Sequence, residues 1–117
     1  ISQLKEMETD SWMKKYIFPG GVIPSLREIV SSMGNDDFHI LDIENLRRHY
    51  EKTLLCWADN FHNHLDKFSG MFDEKFIRMW DLYLNACAAN FHVGGIDLHQ
   101  ILVTKGVNNE LPLTRWY

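Results

Sequence analysis

Two cysteines, Cys56 and Cys87, are all that 117 residues contain, and they show no CxxC spacing. Neither a zinc ribbon nor a disulfide-stapled secreted fold is therefore expected, and both thiols are expected to be buried apolar groups in a reducing compartment. Positive charge is also scarce: 12 basic groups face 16 acidic ones, a formal charge of −4. A nucleic-acid module would need a clustered cationic surface, so none is expected. No apolar run approaches the roughly 20 residues that span a bilayer, and no basic-then-apolar leader opens the chain. The expectation is a cytoplasmic protein whose membrane contact, if any, is peripheral. Glycine-rich chemistry is missing as well. Gly20-Gly21 and Gly94-Gly95 are isolated pairs, no GxGxxG follows a strand, and Pro24-Ser25-Leu26 lacks the glycines of a hydrolase elbow. By itself this stretch is not expected to bind a nucleotide.

What is present is a chain with 45% hydrophobic residues, long enough for one core and too short for two domains. Trp12, Met13, Tyr16 and Ile17 recur at helical spacing from about Asp10 to Phe18, where Pro19-Gly20-Gly21 stops the segment. The two glycines there suggest that something passes close to the backbone. Ser25 and Glu28 form a capping box for a helix ending at Gly34, and Asn35 and Asp36 make a turn. Phe38 to Glu44 has the composition of a strand. Leu46, Tyr50, Leu54, Trp57, Phe61, Leu65 and Phe68 place one apolar face on a long helix. After Ser69-Gly70, Asp73 caps a second long helix running to about Phe91, with Phe72 and Ile77 as a hydrophobic staple. Its polar stripe of Glu74, Arg78, Asp81 and Asn85 is narrow, which predicts burial on several sides. Gly94-Gly95 ends it, and Ile96 to Thr104 reads as a second strand. Two strands are too few for a stable sheet. Together with a start at Ile1, this predicts a segment of a longer protein.

Six histidines raise the question of a metal site. His62 and His64 lie two apart and so project from nearly opposite sides of a helix, whereas zinc-binding helices use spacings of three or four. Solvated or capping histidines are the expectation, with no metal. Tyr50 with Leu54, and Tyr83 with Cys87, are i, i+4 pairs that set a hydroxyl at one end of an apolar face. Two readings fit them: core packing with a satisfied phenol, or a hydrophobic channel in which tyrosine hydroxyls orient a polar species beside an acyl chain. Arg47 and Arg48 are expected on a solvated helix edge, with lipid phosphate as the alternative contact.

Four motifs occur in order: YIFPGGVIPS over 16–25, HYxxTLxxW from His49, FxRMWxxYLxxCAxxF from Phe76, and IDLxQxxxxKGV from Ile96. Together they closely resemble the C-terminal part of bacterial cyclopropane-fatty-acyl-phospholipid synthases, a family that includes the mycolic acid cyclopropane synthases. The resemblance covers about Trp12 to Val107. It implies an α/β fold: the C-terminal portion of a Rossmann-like class I methyltransferase, with two terminal antiparallel strands and an inserted pair of long lipid-binding helices. Residues 1–117 would form part of a single catalytic domain.

The resemblance further implies an S-adenosylmethionine-dependent transferase that adds a methylene bridge across a double bond of an unsaturated phospholipid acyl chain. Tyr50 matches the family tyrosine that helps hold a bicarbonate ion, the presumed base. Phe18, Leu54, Tyr83 and Cys87 match positions lining the acyl pocket, whose apolar walls would exclude water from a carbocation. The glycine-rich cofactor loop, and the family's glutamate, histidine and cysteine, belong to segments before Ile1, so S-adenosylmethionine would be bound elsewhere and this stretch alone would be inactive. Homo-oligomerisation is left open by the sequence. The alternatives are a noncatalytic hydrophobic-ligand or helical interaction module, and a related methyltransferase without ring closure.

Overall fold

The core is built by two helices. In the computed structural model, which describes residues 1–3 and 11–115, the elements run α1 (Ser11–Tyr16), α2 (Leu26–Asn35), β1 (Phe38–Asn45), α3 (Arg47–His62), α4 (Leu65–Ser69), α5 (Glu74–Val93) and β2 (His99–Lys105). Leu54, Ala58 and Phe61 of α3 meet Leu84, Cys87, Ala88 and Phe91 of α5 in one buried cluster. Small Ala58 and Ala88 allow close approach, while Phe61 and Phe91 fill the space on either side.

Caps explain where these helices begin and end. Ser25 and Glu28 close the capping box of α2. Asp73 accepts the Phe76 amide at 2.8 Å to start α5, and Phe72 stacks on Phe76 with centroids 4.3 Å apart. Gly94 ends α5 with φ of 76°, a left-handed conformation that costs glycine little and other residues more. At α3 the Arg47 amide donates to Asn45 Oδ1 at 2.8 Å.

The long helix expected from Leu46 to Phe68 is broken. Its hydrogen-bond ladder stops at His62, where His64 turns its ring nitrogen Nδ1 onto the Asn60 carbonyl at 2.8 Å and its amide onto Phe61. Asn and His are modest helix formers that compete locally for backbone groups. Leu65 and Phe68, now on α4, still pack against the core. The expectation that α5 is buried on several sides also fails. Only the stripe facing α3 is fully buried, and Leu82 is half-exposed in a shallow pocket that it shares with Trp12 and Tyr16 of α1. Cys56, expected inside, is exposed, since it lies opposite Leu54 and Ala58 on α3.

β1 and β2 pair antiparallel as expected. Ile40 stands opposite Val103 and Asp42 opposite Leu102, so Leu41 is the extra residue of a β-bulge. β2 begins at His99 rather than Ile96. The preceding residues are engaged elsewhere: Asp97 pairs with Ser2 through two backbone bonds of 2.8 and 2.7 Å, and the Leu98 carbonyl receives the Leu46 amide. Asp10, at the expected start of α1, lies outside the described residues.

Candidate lipid-facing site

α3 and α5 run side by side, and this brings the two tyrosine pairs together. Leu54 is 2% exposed and Cys87 7%, both within the buried cluster, with Tyr50 and Tyr83 packed half-buried against it. Tyr50 meets Phe91 edge-on, with ring centroids 5.1 Å apart, and Trp57 at 5.9 Å. Tyr83 packs on Trp80 at 5.1 Å and receives Phe18 edge-on at 6.2 Å. Phe18 arrives there because its amide donates to the Met13 carbonyl at 2.9 Å and its own carbonyl accepts the Gly21 amide at 3.0 Å. All five residues singled out in the sequence therefore converge on one region.

The glycines after Phe18 have a different reason from the expected one. A methyl group at Gly20 would meet nothing within 4 Å, whereas one at Gly21 would stand 3.0 Å from Phe18 Cβ. What passes close to the backbone is Phe18 itself, folded back over the turn.

The Tyr83 hydroxyl and the Cys87 thiol both hold their protons more tightly than usual. Burial pushes the Tyr83 hydroxyl up to about 12, with the neighbouring Cys87 thiol and then Tyr50 adding to the shift. Burial also pushes the Cys87 thiol up, opposed in part by the Tyr83 hydroxyl. A thiol so placed is a wall rather than a nucleophile, since reactivity belongs to the thiolate. Tyr83 acts as a neutral hydrogen-bonding group. Among the described residues no hydrogen bond engages the Tyr50 hydroxyl, which leaves it available to an incoming acceptor.

Beside the tyrosines, a cavity of about 300 Å³ opens between the helices, lined by Trp57, Asn60, Phe61, His64, Phe68, Trp80 and Leu84. Trp57 and Trp80, the ring neighbours of Tyr50 and Tyr83, were not singled out as site residues. Their signal was available: Trp57 is seven residues from Tyr50, and Trp80 three from Tyr83, on the same helical faces. A larger cleft of about 680 Å³ lies between β1, β2 and the C-terminal tail, lined by Leu41, Leu102, Leu111 and Leu113 among others, and holds none of the five.

Arg48 is exposed as expected, whereas Arg47 is half-buried and bound to the protein. Its Nη1 donates to the carbonyls of Phe91 at 2.5 Å and His92 at 3.0 Å, and its Nε lies 3.7 Å from Asp97. Three further histidines have protein partners: His62 meets Asp81 at 3.0 Å, His92 meets Glu51 at 2.8 Å, and His99 meets Ser2 at 2.8 Å.

The sequence profile described as mycolic acid cyclopropane synthetase matches residues 2–101. The chain belongs to this family. Within it, the chain is 41% identical over 107 residues to a probable fatty acid methyltransferase of Pseudomonas putida, covering 89% of this chain and 27% of that protein. It is 36% identical over 114 residues to the cyclopropane-fatty-acyl-phospholipid synthase of Escherichia coli K12, covering 97% and 30%. Among solved structures, the mycolic acid cyclopropane synthase CmaA1 complexed with SAH and CTAB superposes with a TM-score of 0.76 at 27% identity, covering 79% of this chain and 32% of that one. The chain thus spans about a third or less of each of these three relatives, and its two antiparallel strands and long helices are a portion of the family's methyltransferase fold.

The cofactor implied by the family does not fit the described residues. No strand–glycine turn–helix unit occurs among the described elements.

Proposed function

We propose that this chain forms the acyl-chain side of an S-adenosylmethionine-dependent cyclopropane fatty acid synthase, with the methyl donor held outside residues 1–117. The observation that carries the reading is the convergence of Phe18, Tyr50, Leu54, Tyr83 and Cys87 on the α3–α5 pair of a chain from this family. The substrate is an unsaturated phospholipid acyl chain. Aromatic and apolar walls exclude water from the reacting double bond and offer ring faces to developing positive charge. The net change is addition of one CH2, with a proton lost to a base. Tyr50 donates a hydrogen bond to that base and orients it; bicarbonate, when bound, supplies the basic oxygen. No helix among the described residues is long and apolar enough to cross a membrane, so contact with the bilayer is proposed to be peripheral.

A second reading has a specific basis, since the Pseudomonas putida relative is named a fatty acid methyltransferase. In that case the same residues would serve methylation without ring closure. Ring and branched alkene products both gain CH2, but only the ring product has lost its double bond, so the discriminating assay is consumption of hydrogen by the purified product.

The test uses the protein encoded by the whole reading frame. Tyr50→Phe is expected to lower turnover by about tenfold or more, as for loss of one oriented donor, with S-adenosylmethionine affinity unchanged. Bicarbonate depletion is expected to slow the parent much more than the variant. Parental turnover in Tyr50→Phe, indifferent to bicarbonate, contradicts the role given to Tyr50, and absence of lipid methylation favours the noncatalytic ligand module.

A further inference from the structure

We infer that Arg47, held against Asp97, is a positioning residue for Tyr50; the inference rests on the role of Tyr50 proposed above. One guanidinium fixes both things that determine where the Tyr50 hydroxyl points. The first is the ring that Tyr50 leans on. Arg47 Nη1 donates to the carbonyls of Phe91 and His92 in the last turn of α5, where the Phe91 carbonyl otherwise has only a long 3.4 Å bond from the capping Gly94 amide. Phe91 is 1% exposed and its ring meets Tyr50 at 74°, so its backbone position sets the surface against which the phenol rests.

The second is the backbone from which Tyr50 projects. Arg47 opens α3, three residues before Tyr50, and the Tyr50 amide donates to the Leu46 carbonyl at 2.9 Å. Leu46 is tied to Leu98 through a 2.8 Å backbone bond. Asp97 joins these parts. Its carboxylate faces Arg47 Nε and accepts from Asn45 Nδ2 at 3.2 Å, while its backbone is paired with Ser2. Asp97 is 8% exposed, so the charge is partly desolvated and its partners are strongly specified. The start of α3, the end of α5 and the segment before β2 therefore meet at one ion pair, one helical turn from the proposed donor. A lysine could hold one carbonyl or the carboxylate, but not the same planar set of contacts.

The test is a double-mutant cycle in the protein encoded by the whole reading frame, comparing the parent, Arg47→Ala, Tyr50→Phe and the double variant. Arg47→Ala is expected to lower kcat about tenfold in the parent and less than about twofold in Tyr50→Phe, with lipid KM unchanged within about twofold. Arg47→Lys should recover only part of the loss. Equal losses in both backgrounds, or a raised KM with unchanged kcat, overturn the inference and leave Arg47 a structural cap. Should Arg47→Ala fail to fold, Asp97→Asn enters the cycle instead, because it removes the charge and keeps the shape. Parental turnover in Tyr50→Phe alone would fell the reading of Tyr50 and this inference with it. An impaired Tyr50→Phe with full additivity would fell this inference only.

Discussion

The α3–α5 pair and the β1–β2 pair are the two most closely associated parts of the molecule, and they differ in what they bury. Every residue of the buried apolar cluster belongs to α3 or α5. The strands contribute none: Ile101, Leu102 and Val103 are half-buried, and Leu41 is 48% exposed. The C-terminal tail crosses the sheet and is held there by Arg115, which binds Asp42 and lies 3.2 Å from Glu44. Such half-exposed pairs contribute little net stability. The helices thus carry their own packing information, whereas the apolar faces of the strands have no full partner among the described residues. The residues proposed to meet lipid lie with the part that is internally fixed, as preorganisation of a site requires.

The sharpest way to break this comparison is to remove one large side chain from each part. Phe91→Ala should destabilise the protein by about 3–5 kcal/mol, through lost transfer free energy and a cavity. Leu41→Ala should change stability by less than about 0.5 kcal/mol, as at exposed positions generally. Urea unfolding followed by far-ultraviolet circular dichroism measures both. Similar losses would mean that the sheet is as much a core as the helix pair.

A smaller effect concerns protons. Tyr83 is pushed up to about 12, chiefly by burial, from an ordinary 10.0. The folded protein therefore holds this proton more tightly than the unfolded chain. The associated stability is complete below about pH 10 and is lost as pH rises from there toward 12. Tyr83→Phe should flatten the fall in stability across that window, and a tyrosinate absorbance titration should lose its latest component. An unchanged alkaline limb in Tyr83→Phe would show that Tyr83 is no more sheltered than an exposed tyrosine.

The helix pair was also the more legible part of the sequence. Three- and four-residue spacing from Leu54 to Phe61 identified the inner face of α3, because helical periodicity is local information, whereas the wide apolar surface of α5 did not say which stripe would be buried. Ser25 with Glu28, Asp73 and Gly94 announced ends that the backbone then adopts. The break at Asn63-His64 was not legible, because the same apolar face continues through Leu65 and Phe68 and pattern alone does not report a lost ladder. The start of β2 was misplaced for another reason: Asp97 is committed by contacts with Ser2, Asn45 and Arg47, all distant in sequence. Arg47 illustrates the same limit. Nothing local to Leu46-Arg47-Arg48 says that one arginine will bind a carbonyl 44 positions later, at Phe91, in the last turn of a helix that ends at Val93. Convergence of Phe18, Tyr50, Tyr83 and Cys87 was suggested by family resemblance, since their separations in sequence carry no such information.

The central claim is that lipid meets the helix pair and not the cleft beneath the C-terminal tail. Photolabelling tests it directly, using an unsaturated phospholipid with a diazirine in its acyl chain, the protein encoded by the whole reading frame, and peptide mass spectrometry. The account predicts labels on Phe18, Tyr50, Tyr83 or their neighbours Trp57 and Trp80, displaced by excess unlabelled phospholipid. Displaceable labels confined to Leu41, Leu102 and Leu111–Leu113 would contradict it.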